Sequence, residues 1–274
     1  GKVLMEATPH LFIPERAGAT LGGLAYLGIP GAEGEMDLDV LRQTLRRPGA
    51  LRTQLVCMET SHANAGGAVL PPRHMQAVRE LAHAAGARVH VDGARLFNAA
   101  VALGAPADAL ACHADTVTVC LSKGLSAPAG AVLAGPLATI DRARQLRKVL
   151  GGTQRQIGVL AAAGLEAVES MVDRLAQDHV QAQRLGRALG DIRAGVLRTN
   201  RPATNIVLVD VPSTGPDSRA WARQLERCGV LARPWGEHRL RLVTHRHIES
   251  SDVDAAVSAF RTTADELLAS SPNG

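Results

Sequence analysis

The stretch ARVHVDGARLFNAAVALGAPADALACHADTVTVCLSKG, residues 87–124, decides the fold. Residues 87–92 form an apolar run ending in an acid, 94–103 have helical spacing, and 116–121 alternate as a strand. A strand, a helix and a second strand in that order make a βαβ unit, which implies parallel pairing. Working outward, 3–5 and 51–58 read as strands, 73–85 as a helix, and 131–134 as a further short strand. The expectation is an α/β fold with a mainly parallel sheet covered on both faces.

Downstream, 158–189 is helical in spacing, broken once or twice. It is followed by a strand at 206–211, a helix at 218–228, a strand at 239–244 and a helix at 251–268. Ser251, with Asp254 three residues on, is the expected N-cap of that last helix. The pattern predicts a large domain over 1–175 and a small C-terminal α/β domain over 176–274, with the border inside 171–200. The chain opens on Gly1, directly before a strand, and reads as N-terminally incomplete.

Composition narrows the function classes. With 46% hydrophobic and 20% charged residues, the 274-residue chain can bury a sizeable core. A net charge of +4 comes from interspersed basic and acidic residues, with no basic stripe interleaved with aromatics, which argues against nucleic acid as a partner. No apolar run approaches the roughly 20 residues of a membrane span. The four cysteines lack metal-ligand spacing and disulfide-scaffold density, so no metal is expected and a reducing cytoplasm fits.

Lysine usage singles out one residue. Only Lys2, Lys123 and Lys148 are lysines among 30 basic residues, so a retained lysine can mark amine chemistry that arginine cannot supply. Lys123 follows the strand TVTVCL, Asp92 ends VHVD, and Glu59 to His62 follow the strand at 51–58. In a parallel α/β sheet such strand ends converge on one crevice. Asp92 alone could be a helix cap, and Lys123 alone a solvated loop residue. Together, with the small residues LSAPAGAV after the lysine, they match what pyridoxal phosphate requires: an amine for a Schiff base and a carboxylate facing a cationic ring nitrogen.

The segments VHVDGARLFNAA, ADTVTVCLSKGLSAPAGAVLAG and RKVLGGTQRQIGVLAAAG resemble the low-specificity L-threonine aldolases, a branch of the fold type I pyridoxal phosphate enzymes. The resemblance runs from MEATPH to RLRLVTH. It implies a PLP-binding large domain over 1–175, a small domain over 176–274, a homotetramer built from dimers, and cleavage of β-hydroxy-α-amino acids such as L-threonine and allo-threonine to glycine and an aldehyde. It further implies that Lys123 carries the cofactor, Asp92 faces its ring nitrogen and His10 stacks on its ring. His62 would lie near the substrate hydroxyl, serving as base directly or through a water shared with His10. Arg95 and Arg241 would grip the substrate carboxylate, Arg95 also lying among the cofactor contacts. Lys148 and Arg155 match a segment that lies near a neighbouring subunit's site in the family; read alone, Lys148 is equally a solvated surface residue. Read alone, His10 and Arg241 would pass for ordinary loop and strand residues, and nothing local ranks Arg241 above Arg239.

Two departures from the family pattern stand out. The Gly and Ser/Thr loop that binds the cofactor phosphate at a helix N-terminus has no counterpart in these residues. METSHANAGG replaces the usual ENTHN-like loop, keeping Glu59 and His62 but placing Thr60 and Ala63 where asparagines are expected. A β-eliminating lyase of the same fold is the alternative enzyme. An inactive truncated relative serving as a structural partner is the alternative from another class.

Overall fold

The computed structural model describes residues 1–15, 17–49, 51–192 and 195–269, in two compact units, Gly1–Leu175 and Ala176–Gly274. The first holds β1 (Lys2–Glu6), α1 (Ala17–Gly22), β2 (Ala25–Ile29), β3 (Gly31–Ala32), β4 (Glu35–Met36) and α2 (Leu38–Arg46). It continues through β5 (Thr53–Glu59), α3 (Pro72–Ala84), β6 (Arg88–Gly93), α4 (Leu96–Leu103), α5 (Asp108–Ala111), β7 (Thr116–Cys120), β8 (Ala131–Ala134), α6 (Leu137–Val149) and α7 (Gly158–Ser170).

Its main sheet runs β2-β1-β5-β6-β7-β8, parallel throughout except for antiparallel β8. Strand alternation divides the sheet chemically. Val56, Met58, Val89, Val91 and Val117 turn to one face, where they pack with Leu41 of α2 and Met75, Val78 and Ala82 of α3. Each fully buried aliphatic side chain there stabilises the unit by about 1.5–3 kcal/mol. In-register neighbours Cys57 and His90, Glu59 and Asp92, His90 and Thr116, and Asp92 and Thr118 share the opposite, more polar face. Both helices over the apolar face start cleanly. Asp37 accepts the Asp39 and Val40 N–H groups ahead of α2, and Pro72 occupies the first turn of α3.

Coverage of the sheet is uneven. All four residues of β8 are exposed, including Val132 and Leu133, and α6 buries none of its residues. The full covering expected on both faces therefore does not extend to the β8 edge within this unit. Leu137, Val149, Leu150, Val159 and Leu165 also stand exposed on and beside α6 and α7.

The second unit follows from α8 (Leu175–Gly190), whose first residue closes the first unit. It contains β9 (Arg198–Thr199), β10 (Ile206–Asp210), α9 (Ser218–Arg227), β11 (Arg233–Pro234), β12 (Arg239–Val243) and α10 (Ser250–Ala269). Its antiparallel sheet runs β11-β12-β10-β9, with Trp221, Leu225 and Phe260 in a core formed with α9 and α10. The expected Ser251 cap is corrected here. Helix α10 starts at Ser250, and Asp252 reaches back to accept the Glu249 N–H at 2.8 Å, the arrangement in which the third helical residue caps the residue before the helix. No helix among the described residues is long and apolar enough to cross a membrane.

Candidate active site

Three parallel strands end in carboxylates at the same edge of the first unit's sheet: Glu6 on β1, Glu59 on β5 and Asp92 on β6. Glu59 and Asp92 are register partners, and Asp92 is next to Thr118 of β7. The chain leaving β7 carries Ser122 and Lys123, both exposed, at the tip of a folded loop. That loop is closed by Leu121 N–H to Gly130 O at 3.0 Å and Ala127 N–H to Leu121 O at 3.0 Å, while the Lys123 carbonyl accepts Ser126 N–H at 2.9 Å. Gly124 follows because a Cβ there would sit 2.8 Å from Leu175 Cδ2 and 3.0 Å from Asn98 Oδ1. Asp92 Oδ1 accepts the Ala94 N–H at 3.0 Å, so the carboxylate also shapes the turn leading into α4.

Arg95 stands at the head of α4, with its Nε buried and without a hydrogen-bond partner. Burial pulls its guanidinium below the ordinary arginine range, while Glu59, Cys120 and Asp92 act in the opposite direction. It is thus a desolvated cation with carboxylates around it and a buried nitrogen still unsatisfied. Such a group has hydrogen-bonding capacity for an anion.

The two histidine-bearing segments are held differently. His10 has a part-exposed ring, its Nε2 3.2 Å from the exposed Glu15, and a backbone N–H donated to Glu59 Oε2 at 2.6 Å. His62 is fully buried, and its Nδ1 accepts the Ala65 N–H at 3.2 Å. That bond requires the ring proton to be on Nε2, which lies 3.2 Å from Glu6 Oε2. His62 thus has no exposed surface, with one ring nitrogen bonded to the Ala65 N–H and the other lying close to the Glu6 carboxylate.

The model of the beta-eliminating lyase family matches residues 1–214. The chain belongs to the beta-eliminating lyase family. Within reach of this family member are low-specificity L-threonine aldolase 1 of Arabidopsis thaliana and the low-specificity L-threonine aldolase of Escherichia coli K12. The first is 37% identical over 270 residues, spanning 95% of this chain and 75% of the plant protein. The second is 32% identical over 256 residues, spanning 92% of this chain and 74% of the bacterial one. The solved structure of Leishmania major threonine aldolase aligns with a TM-score of 0.77 at 17% identity, covering 95% of this chain and 77% of that one. The fold is therefore that of the fold type I enzymes.

In this lyase-family chain the first unit brings His10, Glu59, Asp92, Arg95 and the Lys123 loop to one sheet edge. Arg241 belongs to the second unit, on β12 opposite Leu208 and Arg233, with its guanidinium carbon 5.0 Å from the Trp235 ring centre. Arg239, two residues earlier on the same face, is engaged with Asp210, its Nη2 lying 3.0 Å from Oδ2. Lys148 and Arg155 are exposed.

The site holds one residue that sequence reasoning missed. Glu6 is buried; its Oε2 accepts both the N–H and the hydroxyl of Thr8 at 2.7 Å and faces His62. Burial alone would raise its carboxyl, but His62 and Thr8 outweigh that and hold it below the ordinary glutamate range. A carboxylate closing the apolar run VLME carries the same signal as Asp92 closing VHVD, and could have been found that way.

Proposed function

We propose that this chain cleaves β-hydroxy-α-amino acids of the L-threonine and allo-threonine type to glycine and an aldehyde, with pyridoxal phosphate carried on Lys123. The observation that supports this most directly is the pairing of Asp92 with the Lys123 loop at neighbouring strand ends, in a chain whose relatives carry threonine aldolase names. The residues present fit that cofactor: an amine on an exposed loop of small residues, a part-buried carboxylate one strand away, and an imidazole plane at His10.

When bound, the cofactor supplies an electron sink for the bond between Cα and Cβ. Asp92 would keep a proton on the ring nitrogen through its negative charge. Lys123 would hold the cofactor and be displaced by the substrate amine. Arg95, with its unsatisfied buried Nε, would bind the carboxylate, a task the family resemblance also gives to Arg241, and that grip sets which bond at Cα aligns with the sink. The β-hydroxyl proton must go to a base. The full burial of His62, with its Nδ1 bonded to the Ala65 N–H, favours a water held by His10 over His62 itself.

Apolar residues exposed along α6 and α7 support assembly with further copies, up to a homotetramer, with Lys148 and Arg155 on that exposed segment. The unbridged cysteines support a reducing compartment such as the cytoplasm.

Product analysis with threonine tests the reaction. Glycine and acetaldehyde support it, whereas ammonia and 2-oxobutanoate would establish the β-eliminating lyase that the family's description equally accommodates. Visible absorbance of bound cofactor, lost in Lys123→Ala, tests the anchor. A chain that takes up no cofactor would be the structural relative instead.

A further inference from the structure

Two buried glutamates in the first unit have no assigned role, and their contacts cross. Glu6 lies at the end of β1, just before the loop that carries His10, yet its carboxylate faces the ring of His62, 3.2 Å away on the other loop. Glu59 lies at the end of β5, just before the loop that carries His62, yet its Oε2 accepts the backbone N–H of His10 at 2.6 Å. Its second oxygen, Oε1, accepts the Ala63 N–H at 2.7 Å, tying the same carboxylate to its own loop. Asn64 Nδ2 donates to Thr8 O at 2.5 Å and joins the two loops again. Glu6 and Glu59 each keep only 6% of their surface exposed. Buried carboxylates that accept several N–H groups make charge-assisted bonds, stronger than ordinary ones and costly to leave unmade.

We propose that Glu6 and Glu59 are positioning residues forming a reciprocal latch, in which each carboxylate holds the histidine of the opposite loop. The two attachments differ in kind, and that difference assigns a division of labour. Glu59 grips His10 by its backbone and leaves the ring part-exposed, beside Glu15. Glu6, bonded to Thr8, sets its charge 3.2 Å from one nitrogen of the His62 ring, whose other nitrogen accepts the Ala65 N–H, so His62 serves as the buried anchor of its loop. The consequence for His10 as the cofactor's stacking plane rests on the function proposed above; the latch itself rests on the contacts alone.

The test uses the full chain loaded with pyridoxal phosphate, the variants Glu6→Gln, Glu59→Gln and their combination, and amide hydrogen exchange resolved by residue. Glutamine keeps the size of each side chain but loses the charge, and at position 59 it offers one carbonyl where two oxygens accepted. The latch predicts loosening across the loops: Glu59→Gln accelerates exchange at His10, and Glu6→Gln accelerates it at Ala65, each by about ten- to a hundredfold. Protection in the core strands, at Val56 and Val89, stays unchanged. The double variant should weaken cofactor binding no more than the worse single one, because both bonds close the same pair of loops. Exchange that rises only in the substituted residue's own loop, or not at all, overturns the latch. His10→Ala separates the two readings. If it leaves cofactor affinity intact while cross-loop acceleration persists in Glu59→Gln, the latch stands and the stacking role of His10 falls.

Discussion

Substituting Gly34 by alanine should destabilise the first unit through two separable penalties. The backbone at 34 has φ +86°, in the left-handed region, where a side chain costs about 1–2 kcal/mol. The new Cβ would also lie 2.8 Å from His62 Cδ2, 2.9 Å from Cγ and 3.0 Å from Cβ. These atoms cannot simply swing away, since the ring is fully buried and held at Nδ1 by the Ala65 N–H. Forcing an extra methyl against so fixed a neighbour costs about 1–3 kcal/mol. The expected loss is about 2–5 kcal/mol, read as a lower urea midpoint at unchanged slope. Far-ultraviolet circular dichroism is the appropriate signal, because both tryptophans, Trp221 and Trp235, belong to the second unit. Gly23→Ala is the control: its φ is +61° but a Cβ there meets nothing within 4 Å, so it should show the backbone penalty alone. Equal losses in the two variants, within about 0.5 kcal/mol, would refute the packing of Gly34 on His62.

Asp115 supplies a pH dependence with a definite sign. Burial would raise its carboxyl, but His83 at 2.9 Å, the Val89 N–H at 2.7 Å and Arg88 at 3.1 Å together hold it below the ordinary aspartate range. A carboxyl lowered on folding stabilises the protein above its unfolded pKa near 4, and that stability disappears as pH falls through the lower folded value. Urea midpoints measured from pH 5 to pH 2 should therefore fall less steeply in Asp115→Asn than in the native chain; parallel curves would sink this account. In the second unit, the guanidinium carbons of Arg233 and Arg241 lie 5.1 and 5.0 Å from the Trp235 ring centre, and the two arginines face each other in register. On the proposed role of Arg241 in binding the substrate carboxylate, Trp235→Leu should raise KM for threonine about two- to tenfold with kcat little changed, and Trp235→Phe should recover most of it; an unaltered KM in Trp235→Leu would refute that the ring positions Arg241 for that role.

How far the sequence could be read depended on whether a signal was local. The strands of β5, β6 and β7 were legible because their apolar alternation is a property of consecutive residues, and Lys123 because lysine is scarce and this one leaves a strand. Helix α6 was invisible to the same method, since it buries no residue and so carries no apolar stripe toward its own unit. The arginines of β12 show the limit most sharply. Arg239 and Arg241 are two apart, share one face of the strand and are indistinguishable by periodicity. What separates them is a partner 29 residues away: Asp210 ends β10 directly opposite Arg239, while Arg241 falls opposite Leu208. Cross-strand register assigns one arginine to an ion pair and the other to the face of Trp235, a long-range fact that no window along the chain contains. The same holds for His62, whose part as an anchor depends on Glu6 arriving from another strand.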